Sequence, residues 1–363
     1  MYAKELQALE RASRLRERSS IKEGMCDLAT NDYLGLAHKK KLFKNAVKRV
    51  EQHAFHAPKA SQFVRGHHQI HADFEALLCE THGFEAALVA GSGFLANLSM
   101  IEALPRRRDL LLLDEEYHAS GMLASKLVEA QVVIFPHNDS NALNALLETY
   151  PHQRAIIAVE GIYSMSGDLM NPEIFQIADK HNALLIVDEA HSMGVVGENL
   201  LGVFEYFNIT PKPNYIKMGT LGKALGSYGA YILASSEIIQ FLQNRAKALI
   251  YATAPSLFDI ALGHESLLYI LENAKELHQK IAKRRFLVQN ILGITMPGLI
   301  LPLHVKSSTE VLKAAKALEC EGYLVGAIRP PTVEVPMLRI IPRLGVPKRD
   351  VELALRLVRK VLR

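Results

Sequence analysis

Cysteine is scarce in this sequence. The chain of 363 residues has three, which are odd in number, far apart and without any C-x-x-C pair: Cys26, Cys79 and Cys320. This pattern excludes a disulfide framework of the kind that holds small secreted domains together, and it lacks the ligand spacing of a zinc site. We therefore expect a protein of the reducing cytoplasm that holds no structural metal.

Long apolar runs are absent as well. The longest, such as residues 110–113, are far too short to cross a bilayer, and residues 1–20 are charged and lack the apolar centre of a signal peptide. A strong net charge is also missing, since 42 basic and 38 acidic residues leave a formal charge of +4. We expect neither a membrane nor a nucleic-acid partner. Two short basic clusters lie at residues 106–108 and 283–285. They indicate solvated edges of helices or loops, although clustered charge can also attract a polyanionic substrate.

Apolar residues are plentiful, at 49% of the chain, and their arrangement predicts an α/β fold. Beyond about residue 70, short apolar runs alternate with helical stretches, which is typical of a mostly parallel sheet covered on both faces by helices. Residues 2–18 predict an amphipathic helix in an N-terminal arm. We divide the chain into this arm (1–40), a large domain (41–265) and a small C-terminal domain (266–363).

Lys223 lies in a glycine-rich segment, residues 219–226, which follows a short apolar strand. Glycines on both sides of a lysine let the backbone turn tightly and come close to a ligand. Partial loss of solvation in such a setting makes the amine a better nucleophile. The alternative is a solvated lysine on a surface turn, because most lysines are exposed. Residues elsewhere in the chain decide between the two.

Three further features fall where predicted strands end, and active sites of open parallel sheets form outside the carboxyl ends of their strands. Gly91-Ser92-Gly93 lies between a strand and a helix, where it can hold a phosphate through backbone N–H groups or be a plain tight turn. His118 opens a helix, where a lone histidine is commonly a cap or a surface residue. Asp188 and His191 follow the most apolar strand, and a carboxylate buried there is costly unless it pairs with a cation.

Together these residues indicate pyridoxal 5'-phosphate. This cofactor requires a lysine for a Schiff base, an acid for the ring nitrogen, a histidine at the ring and a phosphate site. Lys223 is suited to the first task, Asp188 would keep the ring nitrogen protonated, and His191 would hydrogen-bond near the ring hydroxyl. Thr220 precedes Lys223 by three residues and is within reach of the same phosphate as Ser92.

Eight segments, which are spread along nearly the whole chain, carry a family resemblance. They are residues 31–36, 92–94 with Asn97, 118–120, 137–139, 160–168, 187–192, 220–226 and 327–333. In these segments the chain resembles the α-oxoamine synthase family of fold-type I pyridoxal-phosphate enzymes. The last segment is similar to the family members that use a pimeloyl thioester. The chain departs from the family at residues 60–68, where a glycine-rich segment is usual.

The resemblance implies a fold-type I transferase, with a large domain built on a mostly parallel seven-stranded sheet flanked by helices, a small C-terminal α/β domain and an N-terminal arm. It implies that Lys223 forms the Schiff base and removes the substrate's α-proton, that Asp188 pairs with the ring nitrogen and that His118 stacks on the ring. His191 and Ser164 would surround the ring oxygen. The phosphate would be bound by Ser92, Gly93, Phe94 and Thr220.

For the substrates, the resemblance implies that Arg329 binds the amino-acid carboxylate, a bidentate task that suits a guanidinium group. Asn31, Thr332 and an arginine of the arm, Arg16, would lie near the substrates. Thr253 corresponds to a position that reaches the cofactor phosphate of the partner subunit. The resemblance therefore implies a homodimer with its active sites at the subunit interface.

The reaction that the resemblance implies is a decarboxylative condensation of L-alanine with pimeloyl-CoA or pimeloyl-ACP in biotin biosynthesis. Its products would be 8-amino-7-oxononanoate, CO2 and the free carrier. Within the family the alternative is 2-amino-3-oxobutyrate CoA ligase, which joins glycine to acetyl-CoA. An aminotransferase on the same fold would need a second, keto-acid half-reaction. A non-catalytic subunit with this fold is a further alternative, and the presence of Lys223 speaks against it.

Overall fold

The structure of the chain, a computed structural model, describes residues 2–16, 18, 20 and 24–362. In these ranges the strands are β1 (Cys26–Asp27), β2 (Ala86–Ala90), β3 (Leu110–Asp114), β4 (Gln131–Phe135), β5 (Ala155–Glu160), β6 (Leu184–Asp188), β7 (Tyr215–Thr220), β8 (Ala230–Ala234), β9 (Leu301–His304), β10 (Tyr323–Leu324), β11 (Gly326–Ile328) and β12 (Met337–Ile340). The helices in the same ranges are α1 (Ala3–Arg11), α2 (Lys40–Glu51), α3 (Gln69–His82), α4 (Gly93–Ala103), α5 (Ala119–Ala124), α6 (Ser140–Thr149), α7 (Glu173–Lys180), α8 (Val203–Tyr206), α9 (Ser236–Arg245), α10 (Lys247–Ile250), α11 (Leu257–Leu292), α12 (Ser308–Cys320) and α13 (Lys348–Val361). Residues 34–164 and 168–279 form a large compact unit, and the other described residues form a small one.

The large unit is built on a seven-stranded sheet with the strand order β2-β8-β7-β6-β5-β3-β4. The strands from β7 to β4 run parallel to one another, and β8 runs antiparallel to both of its neighbours. Several strands are short apolar runs in which every residue is buried, as in β3 and β5. Strands that are covered on both faces need such continuous apolar sequence. The predicted α/β fold with a mostly parallel seven-stranded sheet is confirmed.

Alternate residues of these strands face a core on each side of the sheet. On one side, Leu111, Ile156 and Ile216 belong to a buried cluster with apolar residues of α4, α5 and α9. On the other side, Tyr215 packs edge-on against Phe175 of α7, with ring centroids 5.4 Å apart. Because both faces are packed, the loops that follow the strands start from a rigid base.

The small unit contains an antiparallel sheet in the order β11-β12-β9 and a parallel pair of β1 with β10. Leu338 and Ile340 of β12 are buried in one cluster with Val311 and Leu318 of α12 and Leu355 of α13. This cluster is the core of a small α/β unit, as the sequence predicts. The predicted domain boundaries, between residues 40 and 41 and between 265 and 266, stay predictions.

Helix lengths differ in part from the expectation. The helix expected over residues 2–18 is confined to Ala3–Arg11, because the chain turns at Ser13, whose φ is 54°. The long helical region expected over residues 258–291 is confirmed as α11, which has 36 residues. Within the described ranges, every helix is too short or too polar to cross a membrane.

Candidate active site

Several loops that carry predicted site residues start at the same edge of the large sheet. The Cα atom of Asp188, the last residue of β6, lies opposite that of Glu160 at the end of β5, and β6 pairs in parallel with β7. Thr220 of β7 and Ala90 of β2 both pair with Ala230 of β8. The segments that follow β2, β5, β6 and β7 therefore begin side by side, at the edge where open α/β sheets bind their ligands.

Asp188 is buried at this edge, with 3% of its surface exposed. Its Oδ2 accepts a hydrogen bond from Nδ2 of Asn97 at 2.8 Å, and its Oδ1 accepts one from the backbone N–H of Ala190 at 2.9 Å. A buried carboxylate is costly unless hydrogen-bond donors or a cation face it. These two donors fix the orientation of the carboxylate.

Asn97, from α4, is at the centre of this network. Its Oδ1 accepts a hydrogen bond from the hydroxyl of Tyr117 at 2.7 Å, and its Nδ2 also donates to Oγ of Ser120 at 3.1 Å. Burial, with the charge of Asp188 as a second cause, raises the pKa of Tyr117, so its hydroxyl keeps the proton that it donates. Because Tyr117 occupies the carbonyl oxygen of Asn97, the amide must present its NH2 group to Asp188.

His118 caps the N-terminus of α5. Its Nδ1 lies 3.2 Å from the backbone nitrogen of Ser120 and 2.7 Å from the Ser120 hydroxyl. Burial lowers the pKa of His118, while the charge of Asp188 raises it and that of Lys223 lowers it. The ring is therefore neutral at neutral pH. Hydrogen bonds through the Ser120 hydroxyl and the Asn97 amide connect His118 to Asp188, so these two predicted site residues lie close together.

The amine of Lys223 contacts the ring of His191, with 2.6 Å between Nζ and Nε2. His191 is buried in the turn after β6, and Lys223 lies in the turn after β7. That second turn is closed by Gly226, whose N–H donates to the Lys223 carbonyl at 3.0 Å. Gly226 has a φ of +60°, a conformation that suits glycine. The structure thus brings together the lysine and the histidine that the sequence assigns to one cofactor.

Glu160 lies beside Asp188 and is almost fully buried. Its Oε2 accepts a hydrogen bond from the backbone N–H of Ser164 at 2.9 Å, and its Oε1 has no hydrogen-bond partner among the described residues. Burial, reinforced by the charge of Asp188, raises the pKa of Glu160 well above its ordinary value. This shift favours the protonated form of Glu160, and the hydrogen bond to its Oε2 holds the loop that carries Ser164.

The loop after β2 and the end of β7 meet at the hydroxyl of Thr220. Ser92 caps α4 by accepting a hydrogen bond from the N–H of the third helical residue at 3.2 Å, so the N–H groups of Gly93 and Phe94 have no partner within the helix. A Cβ atom at Gly93 would lie 3.8 Å from Oγ1 of Thr220, and one at Gly222 would lie 3.7 Å from it. A helix N-terminus beside a hydroxyl and glycine backbone is suited to binding a phosphate.

Three predicted substrate residues come together in the small unit. Arg329 donates from Nη2 to the carbonyl of Leu15 at 2.9 Å and from Nε to the carbonyl of Ser13 at 2.5 Å. Nη2 of Arg16 donates to the hydroxyl of Thr332 at 3.0 Å. The segment after β11 is therefore fastened to the N-terminal arm by both arginines.

Two other predicted residues have contacts of their own. In the small unit, Oδ1 of Asn31 accepts a hydrogen bond from Nη1 of Arg339 at 2.9 Å. In the large unit, Thr253 forms an isolated antiparallel bridge with Ser61 and is exposed. An exposed position is what a contact with a partner subunit requires.

Comparison with known proteins shows the family to which the chain belongs. Residues 23–357 match the model of the aminotransferase class I and II family. An 8-amino-7-oxononanoate synthase from Helicobacter pylori (strain ATCC 700392 / 26695) is 44% identical over 342 residues, which are 94% of this chain and 92% of that protein. The chain belongs to this family and, within it, to the 8-amino-7-oxononanoate synthases.

Two solved structures are similar to the whole of this family member. An 8-amino-7-oxononanoate synthase from Francisella tularensis has a TM-score of 0.78 at 25% identity and covers 93% of this chain and 98% of its own. A serine palmitoyltransferase from S. paucimobilis with bound PLP and myriocin has a TM-score of 0.89 at 21% identity, with 99% and 96% covered. The second likeness concerns the fold alone. The predicted family, the fold-type I fold, the acyltransferase class and pyridoxal 5'-phosphate as the cofactor are confirmed.

The residues of the large unit fit this family's cofactor. An aldehyde needs an amine, which Lys223 presents, and a ring nitrogen that stays protonated needs a carboxylate such as that of Asp188. The helix N-terminus at Ser92 and the hydroxyl of Thr220 suit the phosphate. The unpartnered Oε1 of Glu160 adds a buried polar atom beside Asp188 for which a polar ligand is a partner.

Sequence reasoning gave no role to Asn97, Tyr117 or Glu160, although the structure places all three around Asp188. Two signals were available. Asn97 is a polar residue inside the apolar helical run of α4, where it is buried. Glu160 occupies the last position of its apolar strand, as Asp188 does in the neighbouring one. Tyr117 gives no such signal, because tyrosines are common in cores.

Proposed function

We propose that this family member catalyses the decarboxylative condensation of L-alanine with pimeloyl-CoA or pimeloyl-ACP in biotin biosynthesis. The products are 8-amino-7-oxononanoate, CO2 and the free carrier. The observation that carries the proposal is the contact of the Lys223 amine with His191 at the sheet edge that also holds Asp188. We place the reaction in the cytoplasm, because the three cysteines follow no disulfide pattern.

The bound cofactor supplies an electron sink that stabilises negative charge on the substrate carbon. Lys223 would hold the cofactor through its aldehyde, and its amine would serve as the base that takes the α-proton of L-alanine. Asp188 holds a proton on the ring nitrogen, and Asn97 keeps the carboxylate turned towards it. His118 stacks on the ring as a neutral imidazole. Charge stabilisation by groups that are already in place costs no reorganisation during the reaction.

Further residues would hold the cofactor in position beside Lys223. His191 and Ser164 would contact the ring oxygen, and the short contact of His191 with the lysine amine supports this role. The phosphate is bound by residues from the start of α4 and the end of β7: Ser92, Gly93, Phe94 and Thr220.

The proposed substrate residues belong to the small unit. Arg329 binds the carboxylate of L-alanine through its guanidinium group, which is always charged and offers paired donors. Asn31 and Thr332 contribute polar contacts, and Arg16 attracts the acyl substrate. The backbone contacts of Arg329 with the arm support a role for the arm in orienting this guanidinium group.

We propose a homodimer in which Thr253 reaches the cofactor phosphate of the partner subunit. The large unit exposes several large apolar side chains on elements that contact one another, which supports an interface there: Phe63, Val64, Phe94, Leu123, Leu127 and Tyr251. Exposed apolar surface of this extent is typical of a protein–protein interface. Light scattering coupled to size-exclusion chromatography should give twice the chain mass of 40.4 kDa.

The reaction is tested by supplying the purified holoenzyme with a pimeloyl thioester and L-alanine and detecting the C9 amino ketone by mass spectrometry. We expect product with L-alanine and none with glycine. Product from glycine and acetyl-CoA alone would instead assign the 2-amino-3-oxobutyrate ligase reaction. Release of a keto acid with the cofactor left in its amine form would assign an aminotransferase.

A further inference from the structure

Helix α2 presents a row of lysines to solvent. Lys40, Lys41, Lys44 and Lys48 are all exposed, and we call them the basic face of α2. At 100° per residue, they fall within one continuous arc of the helix, and they span about 12 Å along its axis. Glu51, the last residue of the helix, is exposed and falls within the same arc, so this side of α2 carries four positive charges and one negative charge.

The opposite side of α2 is fixed to the large unit. Leu42, Ala46 and Val50 are buried. Arg49 donates from Nη2 to Oε1 of Glu265 in α11 at 2.7 Å, so this carboxylate pairs with an arginine on the side of α2 that faces the large unit. The spacing of the buried residues is that of an amphipathic helix. This packing fixes which side of the helix remains exposed.

Among the residues that the structure describes, the basic face has no acidic ion-pair partner. Among residues 2–16, 18, 20 and 24–362, no carboxylate forms an ion pair with any of its four lysines. Lys40, Lys44 and Lys48 follow one another at intervals of four residues, where like charges repel and destabilise a helix. Lys40 and Lys41 also stand at the positive end of the helix dipole. Local stability thus works against this arrangement, and an external acidic partner would relieve it.

An exposed aromatic side chain borders the basic face. Phe43 is 55% exposed and packs edge-on against Phe258, with ring centroids 5.3 Å apart. An apolar residue within a ring of charged ones is the usual composition of a protein docking surface. The basic face and Phe43 together therefore form a surface with an apolar anchor and a charged margin.

The start of α2 lies against the turn that carries Lys223. A Cβ atom at Gly226 would come 2.5 Å from the backbone nitrogen of Ala37, which precedes the helix by three residues. The N–H of Gly226 in turn donates to the Lys223 carbonyl. The N-terminal end of α2 therefore lies close to the turn that carries Lys223.

We propose that the basic face of α2, with Phe43, docks an acidic protein that carries the acyl thioester. This inference rests on the proposed function, because it identifies the carrier in that reaction as a protein. A convex helix face lacks the concavity in which small molecules such as coenzyme A are bound. It is suited to an opposing acidic surface, which accelerates encounter and fixes orientation through charge complementarity.

The test compares two charge-reversal variants of the full-length holoenzyme, K41E/K44E on the basic face and R106E/R107E as a matched control. Arg106 and Arg107 are exposed in the loop before β3, at the opposite edge of the sheet. Each variant is assayed with L-alanine and three donors: pimeloyl-ACP, pimeloyl-CoA and pimeloyl-pantetheine, which lacks both the carrier protein and the phosphates of coenzyme A. We expect K41E/K44E to lower kcat/KM for pimeloyl-ACP roughly tenfold or more, and to weaken its salt dependence. The rate of K41E/K44E with pimeloyl-pantetheine should stay within about twofold of the rate of the unaltered enzyme. All rates of the control variant should stay within the same limit.

Other outcomes overturn the inference. Equal losses with pimeloyl-ACP and pimeloyl-pantetheine, or a changed oligomeric mass, would assign the lysines to folding or to an interface between copies. A loss of kcat/KM with pimeloyl-CoA alone would show that the lysines bind coenzyme A. If kcat/KM falls with none of the donors, the basic face does not dock the carrier protein. If the unaltered enzyme makes no product from pimeloyl-pantetheine or any other donor, the proposed function itself fails. Should K41E/K44E not fold, K41Q/K44Q must show the same selective loss at smaller magnitude.

Discussion

Nδ2 of Asn97 lies 2.8 Å from Oδ2 of Asp188, although the two residues are 91 positions apart in the chain. The first comes from a helix and the second from the end of a strand. The hydrogen bond gives the carboxylate one orientation, since the other face of the amide is occupied by the Tyr117 hydroxyl. The carboxylate of Asp188 thus has a fixed orientation, which its proposed role at the ring nitrogen requires.

Replacing Asp188 with Asn should leave cofactor binding intact but stop proton removal. The amide is nearly the same size, yet it cannot hold a proton on the ring nitrogen. We expect the exchange of the L-alanine α-proton in D2O, followed by NMR, to slow by roughly 10²- to 10³-fold or more. The control is Asp139→Asn, because Asp139 caps α6 and Asn caps a helix equally well. Normal exchange in the Asp188 variant would remove the role assigned to this carboxylate.

Glu160 should carry a proton at neutral pH. Burial and the charge of Asp188 raise its pKa, so the folded protein holds this proton to higher pH than the unfolded chain does. Its contribution to stability is present below the ordinary glutamate pKa and is lost as pH rises through the raised value. Glu160→Gln should therefore fold and bind cofactor as well as the unaltered protein. Infrared difference spectra between the two should show a protonated carboxyl band, and its absence would contradict a neutral Glu160.

The sequence predicted the strand ends well, for a physical reason. Buried parallel strands are unbroken apolar runs, so the first charged residue after one, such as Asp188, marks a carboxyl end. Lys223 was found because glycines surround it. The antiparallel direction of β8 could also have been predicted from the sequence. Residues 221–229, which connect β7 to β8, are too few for a parallel crossover, because such a crossover needs a dozen or more residues.

Other features could not be predicted from the sequence. The partner of Asn97 depends on how α4 lies against the sheet, which no local pattern records. Residues 54–71 contain Pro58, Gly66 and several histidines without clean periodicity, which predicts a loop. The structure corrects the end of this predicted loop, because α3 begins at Gln69. The helix starts early because the side chain of His68 accepts a hydrogen bond from the N–H of Ile70. Histidine is not among the residues that usually cap helices, so the signal was missing.

His137 should stabilise the fold up to high pH. Burial alone would lower its pKa, but hydrogen bonds to Asp114 at 2.9 Å and to Asp168 at 3.0 Å outweigh this and raise the pKa to about 10. A raised histidine pKa contributes stability that is complete below about 6.5 and is lost as pH rises towards about 10. His137→Gln should remove that decline in urea unfolding measured from pH 6 to 10. His56→Gln, at an exposed position, should leave the decline unchanged. An identical decline in the His137 variant would contradict the assignment.

Lys217 should matter more for stability than a surface lysine does. It is buried, lies 3.4 Å from Oε1 of Glu189 and donates to the Leu201 carbonyl at 2.5 Å. Removing it leaves a buried carboxylate without its cation, which costs about 3–5 kcal/mol. Lys212→Met breaks an exposed ion pair with Asp179 and should cost about 1 kcal/mol or less. Denaturant unfolding of Lys217→Met and Lys212→Met compares the two, and equal losses would show that the buried pair is not the cause.

The most direct test concerns the amine of Lys223. Borohydride reduction of the yellow holoenzyme, followed by peptide mass spectrometry, should place the added cofactor mass on the peptide that contains residue 223. Lys223→Ala should lose this label, its visible absorbance and its turnover together, whereas Lys212→Ala should keep all three. Label on another lysine, or full activity in Lys223→Ala, would contradict the assignment of this residue.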